Sequence, residues 1–270
     1  MHSRFALLLL ILVCCTFPAS LALQDPVGPL PGDAVSPAPA YPDSATLSAP
    51  VVVQRIELVR QGLFLYEQVT EEGAMVTVTV EVVPGKGRLL VHTTPLMGVI
   101  FQDAARTALA AAERRTGADL SGSDVIVSLQ AGGDVNGIDG PSAGALMAVL
   151  MVSALEGFPL NESVTVTGTI DSAGRIGRVD GIGMKAEAAA ASGRTLLLIP
   201  QENSVAPGYR GLGQGPVTDM KAAVEGETDI RVEYVATLDD ALRYLRAEPL
   251  PGPAAAAYPG GGIAIAGMIS

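Results

Sequence analysis

Residues 142–155 (SAGALMAVLMVSAL) carry no charged side chain, and nearly every position around the helical turn is apolar. A helix that is apolar on all sides has to be covered on all sides. The chain must therefore wrap layers of sheet and helix around this segment. Val76, Val78, Val80 and Val82 alternate with Thr77, Thr79 and Glu81, the period of a half-buried strand. Pro84–Gly87 reads as a turn, and residues 88–93 as a second strand returning against the first. Residues 96–115 follow a helical pattern through Val99, Ala104, Leu109 and Ala112, with Gly117 placed as a cap. Strands are expected at 125–129, 164–166, 195–199 and 230–235. An Ala-rich helix is expected at 183–191, and a last helix opens on the capping box Thr237-Leu238-Asp239-Asp240. Strands and helices are mixed throughout, which gives an α/β or α+β class.

One folded domain, 51–247, is expected, with extensions on both sides. His2 and Arg4 open the chain, residues 5–17 are almost wholly apolar, and Ser20-Leu21-Ala22 puts small residues where a signal peptidase reads. Residues 1–23 are thus read as an export signal. They are either cleaved or kept as a membrane anchor, since 5–23 is just long enough to span a bilayer. A secreted or extracytoplasmic location follows. The only cysteines, Cys14 and Cys15, fall in this segment, so the domain has no disulfide, thiol nucleophile or cysteine metal site. Pro26, Pro29, Pro31, Pro37, Pro39, Pro42 and Pro50 mark 24–50 as an extended linker, and 248–270 is a Pro/Gly/Ala tail.

Elimination narrows the chemistry. A net charge of −11 repels phosphate backbones and argues against a nucleic-acid partner. The two histidines are His2, in the leader, and His92, in a strand, which leaves no His/Cys metal site. No cofactor is implied, and there is no phosphate-binding G-x-x-x-x-G-K-[ST] loop. Gly140-Pro141-Ser142-Ala143-Gly144 matches G-x-S-x-G, but no histidine follows Ser142 to complete a hydrolase triad. Ser142 is then either a helix N-cap or a nucleophile with another base. It follows a glycine-bearing loop (Gly132, Gly133, Gly137, Gly140), whose amides and helix start suit a developing oxyanion. Lysine serves as a base when burial lowers its pKa from about 10.4. Lys185, set among Ile182, Met184, Ala186, Ala188 and Ala189, is a candidate, although an amphipathic helix also carries such a lysine at its surface.

The ordered motifs resemble one family. Asp139-Gly140-Pro141-Ser142-Ala143-Gly144 looks like the nucleophile motif of Lon proteases. Val166-Thr167-Gly168, Gly174-Arg175-Ile176 and Gly183-Met184-Lys185-Ala186-Glu187 resemble the stretch that leads to that family's catalytic lysine. Val83-Pro84-Gly85-Lys86-Gly87 and Leu198-Ile199-Pro200-Gln201-Glu202-Asn203 are similar to its flanking hairpin and post-lysine loop. The likeness covers roughly residues 70–245.

It implies a Lon proteolytic-domain fold of the ribosomal protein S5 domain 2-like architecture, and a serine endopeptidase with Ser142 as nucleophile and Lys185 as base. Thr167 would hydrogen-bond the lysine. Asp139 would shape the edge of the site, and amides around Gly140 and Ser142 would hold the oxyanion. Polypeptide substrates and a ring-shaped homo-oligomer, a hexamer by resemblance, are implied as well. Three departures stand out: there is no ATPase module, Thr169 replaces an acidic residue, and the loop before Asp139 is longer. The first argues against ATP-driven degradation of folded proteins and for ATP-independent hydrolysis of unfolded or flexible chains; the other two bear on local geometry and specificity. A peptide-binding module without catalysis and a Ser–Lys esterase or amidase remain alternatives on the same fold. Asn161-Glu162-Ser163 is a glycosylation sequon, and Gly211–Gly215 reads as a loop near substrate.

Overall fold

The computed structural model describes residues 44–132, 140–204 and 219–247. Residues 1–43, the tail from 248, Gly133, Gly137, Asp139 and the 211–215 loop lie outside the described residues. The fold is mixed α/β. Strands β1 (Ser44–Gln61), β2 (Phe64–Pro84), β3 (Leu89–Thr94) and β4 (Ser123–Ala131) form one sheet in the order β1-β2-β4-β3. Helix α1 (Val99–Thr116) crosses from β3 to β4, which run parallel, and ends on Gly117 in the left-handed conformation. Helix α2 (Gly144–Glu156) fills the core. Three parallel strands, β5 (Val164–Val166), β8 (Leu196–Pro200) and β9 (Arg231–Val235), make a second sheet. A small ribbon of β6 (Thr169–Ile170) and β7 (Ile176–Gly177) lies between β5 and α3 (Ile182–Ala191) in the chain. Helices α4 (Met220–Glu227) and α5 (Leu238–Leu245) complete the domain, α5 opening on the expected capping box.

Every residue of α2 from Gly144 to Leu155 is buried, as its all-apolar sequence requires. It packs against α1, α5 and the inner faces of β1 and β2. A second cluster joins Ile182, Ala186 and Ala189 of α3 to Leu197 and Ile199 of β8, Met220 and Val224 of α4, and Val232 of β9. Leu196 and Leu198 of β8 face the first cluster instead. Strand β8 is apolar throughout because both its faces are covered.

Two expectations are corrected. Residues 44–50, read as linker, are the first part of β1. Ala45, Leu47 and Ala49 sit two apart, face the core and are buried, while Ser44–Pro50 pair with Met75–Glu81. The prolines obscured that alternation, but Pro50 stands on an edge strand, where a missing donor is tolerated. The strand at 89–94 does not return against β2. The more apolar β4 inserts between them and pairs with both. The turn at 84–88 is held instead by the buried carboxylate of Asp124. Its Oδ1 accepts from the amides of Lys86 (2.8 Å) and Arg88 (3.0 Å), and its Oδ2 meets the Arg88 guanidinium. Those donors, Arg88 first, hold this carboxyl well below the usual carboxylate range.

The β1–β2 hairpin extends past the core to a two-residue turn at Gly62-Leu63, where Gly62 takes a φ of +64°. Before it leaves the core, β2 passes very close to α3: a Cβ added at Gly73 would stand 1.9 Å from the Met184 carbonyl oxygen. Replacing Gly73 by Ala is expected to push the hairpin and α3 apart and to lower stability by about 1–3 kcal/mol, the usual cost of overpacking. Gly226, inside α4 with open space around it, is the contrast. Gly226→Ala is expected to stabilise by about 0.4–1 kcal/mol. Urea denaturation of the two variants checks both signs.

Candidate active site

Ser142 lies in the one-turn 3-10 helix Pro141–Ala143, immediately before α2. Two backbone hydrogen bonds strap this turn to the strand end after β5: the Gly168 amide donates to the Ser142 carbonyl (2.9 Å), and the Ala145 amide to the Gly168 carbonyl (3.0 Å). The Thr167 hydroxyl donates to the same Ser142 carbonyl at 3.4 Å. Thr167, expected to bond the lysine, thus supports the backbone of the serine. The cap position of α2 is Ala143, and no side chain caps either helix start here. Ser142 is therefore not spent as an N-cap, and its half-buried side chain lines a groove.

Lys185 stands in the first turn of α3. Only 3% of it is exposed, so it is not a surface lysine. Burial pushes its amine down to about 8, against the opposing field of Asp180, which favours the charged form. Serine and lysine line the same groove of about 570 Å³. One wall carries Val52, Gln54 and Ile56 of β1, another carries Met97 and Phe101, and Gly140 and Asp180 lie along it as well. Asp139 lies outside the described residues. His92 is an exposed strand residue. Among the described residues, no three His, Cys, Asp or Glu side chains gather as a metal-binding set.

The burial of Lys185 comes from parts distant in sequence. Gly73 lets β2 touch Met184, and Val52 fills the space beside Gly181, the left-handed residue before α3. The approach to the helix is braced from the far side of β8. The side chain of Asn203, itself buried, accepts from the Val179 amide (3.1 Å) and donates to the Val179 carbonyl (2.7 Å). Glu202 accepts from the Arg178 amide (3.0 Å). The Gln201-Glu202-Asn203 stretch was quoted in the sequence only as part of a motif, and its bracing role became visible with the fold. Asp180 and the Val52–Gly73 clamp were missed there, because neither carries a local pattern.

Comparison with known proteins places this geometry. Residues 58–208 match the family model described as the Lon protease (S16) C-terminal proteolytic domain. The archaeal Lon protease of Archaeoglobus fulgidus is 28% identical over 177 residues, which cover 64% of this chain and 26% of that protein. The archaeal Lon protease of Methanothermobacter thermautotrophicus is 32% identical over 177 residues, covering 64% and 25%. Lon protease 1 of Sorangium cellulosum is 32% identical over 176 residues, covering 63% and 20%. The matched region spans about a quarter or less of these relatives' length. With a family model matching more than half of its residues, this chain belongs to the Lon protease (S16) C-terminal proteolytic-domain family.

Proposed function

We propose that this chain is a serine peptidase that hydrolyses peptide bonds with Ser142 as nucleophile and Lys185 as general base. The observation that carries the reading is the buried amine of Lys185 lining one groove with Ser142. An amine with its midpoint near 8 is neutral about a tenth of the time at pH 7, whereas an ordinary lysine is neutral less than about one part in a thousand. Only the neutral form can take the serine proton.

In the proposed cycle Nζ of Lys185 accepts the proton of the Ser142 hydroxyl as Oγ attacks the scissile carbonyl carbon. Amides around Gly140 and Ser142, at the start of α2, stabilise the oxyanion. The lysine then gives its proton to the leaving amine as the C–N bond breaks, leaving an acyl-serine. Water, deprotonated by the same amine, releases the carboxylic acid and regenerates the serine. Thr167 holds the serine backbone in this cycle, and Asp139, next to Gly140 in sequence, is proposed as a supporting residue of the site.

Flexible or unfolded polypeptides are the proposed substrates, entering as an extended strand beside β1. The sequence contains no phosphate-binding loop, and hydrolysis is proposed to run without ATP. An extracytoplasmic location, with residues 1–23 as signal or anchor, and a ring-shaped oligomer belong to the same proposal.

Ser142→Ala and Lys185→Ala are each expected to abolish hydrolysis of a flexible protein such as casein, measured on purified folded enzyme. Retained activity in either variant refutes the pair. kcat/KM is expected to rise close to tenfold per pH unit below about 8 and to level off above it. Asp180→Asn removes the carboxylate that favours the ammonium form, so its profile is expected to shift to lower pH, with more activity at pH 7. A shift to higher pH contradicts the assignment.

Stability should respond to the same amine. Between about 8 and 10.4 the unfolded chain keeps the proton that the folded chain has lost, so wild-type stability rises with pH across this window. Below it the folded state carries a buried charge at a cost on the order of 3 kcal/mol. Lys185→Met is expected to be more stable than wild type at pH 7 and to lack that rise, as urea denaturation across pH would record.

A further inference from the structure

Beyond Val53 the β1–β2 hairpin projects as a two-stranded ribbon, and its large apolar residues face water. Leu58 is 71% exposed and Val69 54%. A free ribbon of this kind is marginal by itself, and solvent alone gives no reason for aliphatic residues at alternate positions. The pairing register gives one. Opposed residues of an antiparallel pair share a face, which puts Val52/Gly73, Gln54/Glu71, Ile56/Val69, Leu58/Glu67 and Arg60/Leu65 on the same side. That side begins at the lysine clamp: Gly73 lies against Met184, and Val52 beside Gly181. It continues through Gln54, Glu71 and Ile56, all of which line the groove of Ser142 and Lys185. The apolar residues Ile56, Val69 and Leu58 of the arm are therefore on the outward continuation of the groove face, interspersed with Gln54, Glu71 and Glu67. β1 is also the edge strand of its sheet. Among the described residues no strand pairs with its outward backbone edge, and Ile56 and Leu58 are spaced to meet every second residue of an extended chain laid along it.

We propose that the groove-side face of the outer hairpin, centred on Leu58 and Val69, is a docking arm for an apolar, extended stretch of the substrate polypeptide remote from the scissile bond. The proposal rests on the peptidase reading and adds to it a preference for long chains with aliphatic or aromatic residues over short peptides. The arm raises the affinity for such chains and takes no part in bond breaking. The opposite face of the arm carries Arg55/Thr70, Glu57/Gln68, Val59/Tyr66 and Gln61/Phe64, none of which lines the groove, which provides an internal control.

The test compares the double variant Leu58→Thr/Val69→Thr with Val59→Thr/Tyr66→Thr on the opposite face, all in the full chain. KM and kcat are measured for casein and for a short fluorogenic peptide. Binding of fluorescein-labelled casein is followed by anisotropy in the Ser142→Ala background. The groove-face pair is expected to raise KM and Kd for casein roughly tenfold, the loss of one good contact, while kcat and short-peptide hydrolysis stay unchanged. The opposite-face pair is expected to leave all of these values alone. Unchanged casein affinity in the groove-face variant overturns the arm. So does an equal effect from the opposite-face pair, or a loss shared by both substrates with a change in oligomer size in sedimentation. If the wild type cleaves neither substrate but casein binding still depends on Leu58 and Val69, the peptidase reading fails and the arm stands.

Discussion

The energetic centre of this molecule is a single lysine amine held out of water. Lys185 is 3% exposed, and an ammonium there is disfavoured because the surroundings cannot replace its hydration shell. A residue of this type is not buried by its own helix alone, and α3 is a short one. A strand pair arriving from early in the chain packs beside the lysine, and a polar brace arriving from after β8 holds the loop that leads to its helix. Both converge on the residues just before the lysine. The same packing that positions the amine thus also lowers its proton affinity.

The groove lies on a seam. The turn bearing Ser142 leads into α2 and belongs to the larger core, whereas Ile182, Ala186 and Ala189 of the lysine helix belong to the smaller one. Strand β8 contributes to both cores through its alternate side chains, and the β1–β2 hairpin touches both helices. Ser142 and Lys185 are therefore set by elements that span the seam. The backbone strap between Ser142, Ala145 and Gly168, with the Thr167 hydroxyl beside it, registers the serine turn against β5. The Asn203 side chain performs the corresponding task for the loop entering α3.

Much of this could be read from the sequence where the signal was local. The all-apolar 142–155 segment became a buried helix, Gly117 a left-handed cap and Thr237–Asp240 a capping box. The local residues alone left N-cap or nucleophile open for Ser142 and surface or buried open for Lys185; the family resemblance implied nucleophile and base, and the burial of Lys185 became visible with the fold. The hairpin was half missed. The start of β1 hides among prolines, and its outer part carries exposed apolar residues that do not follow the usual inside–outside alternation. The pairing of β3 was misjudged for a similar reason. A tight turn between two strands suggests a hairpin, but Asp124 can hold that turn while β4 takes the central place. Thr167 was placed in the right neighbourhood, and its donation to the Ser142 carbonyl was not foreseen, because a hydroxyl's bond is decided by ångström-scale geometry.

The most direct test is to titrate the lysine side chains by carbon-detected NMR of protein labelled at lysine Cε. The sequence has three, Lys86, Lys185 and Lys221, so assignment needs only single substitutions. The account predicts that the Lys185 resonance moves with a midpoint near 8, well below the ordinary lysine value. A Lys185 midpoint near the ordinary value of about 10.4 would mean that the amine stays charged at neutral pH, and would contradict its role as the base.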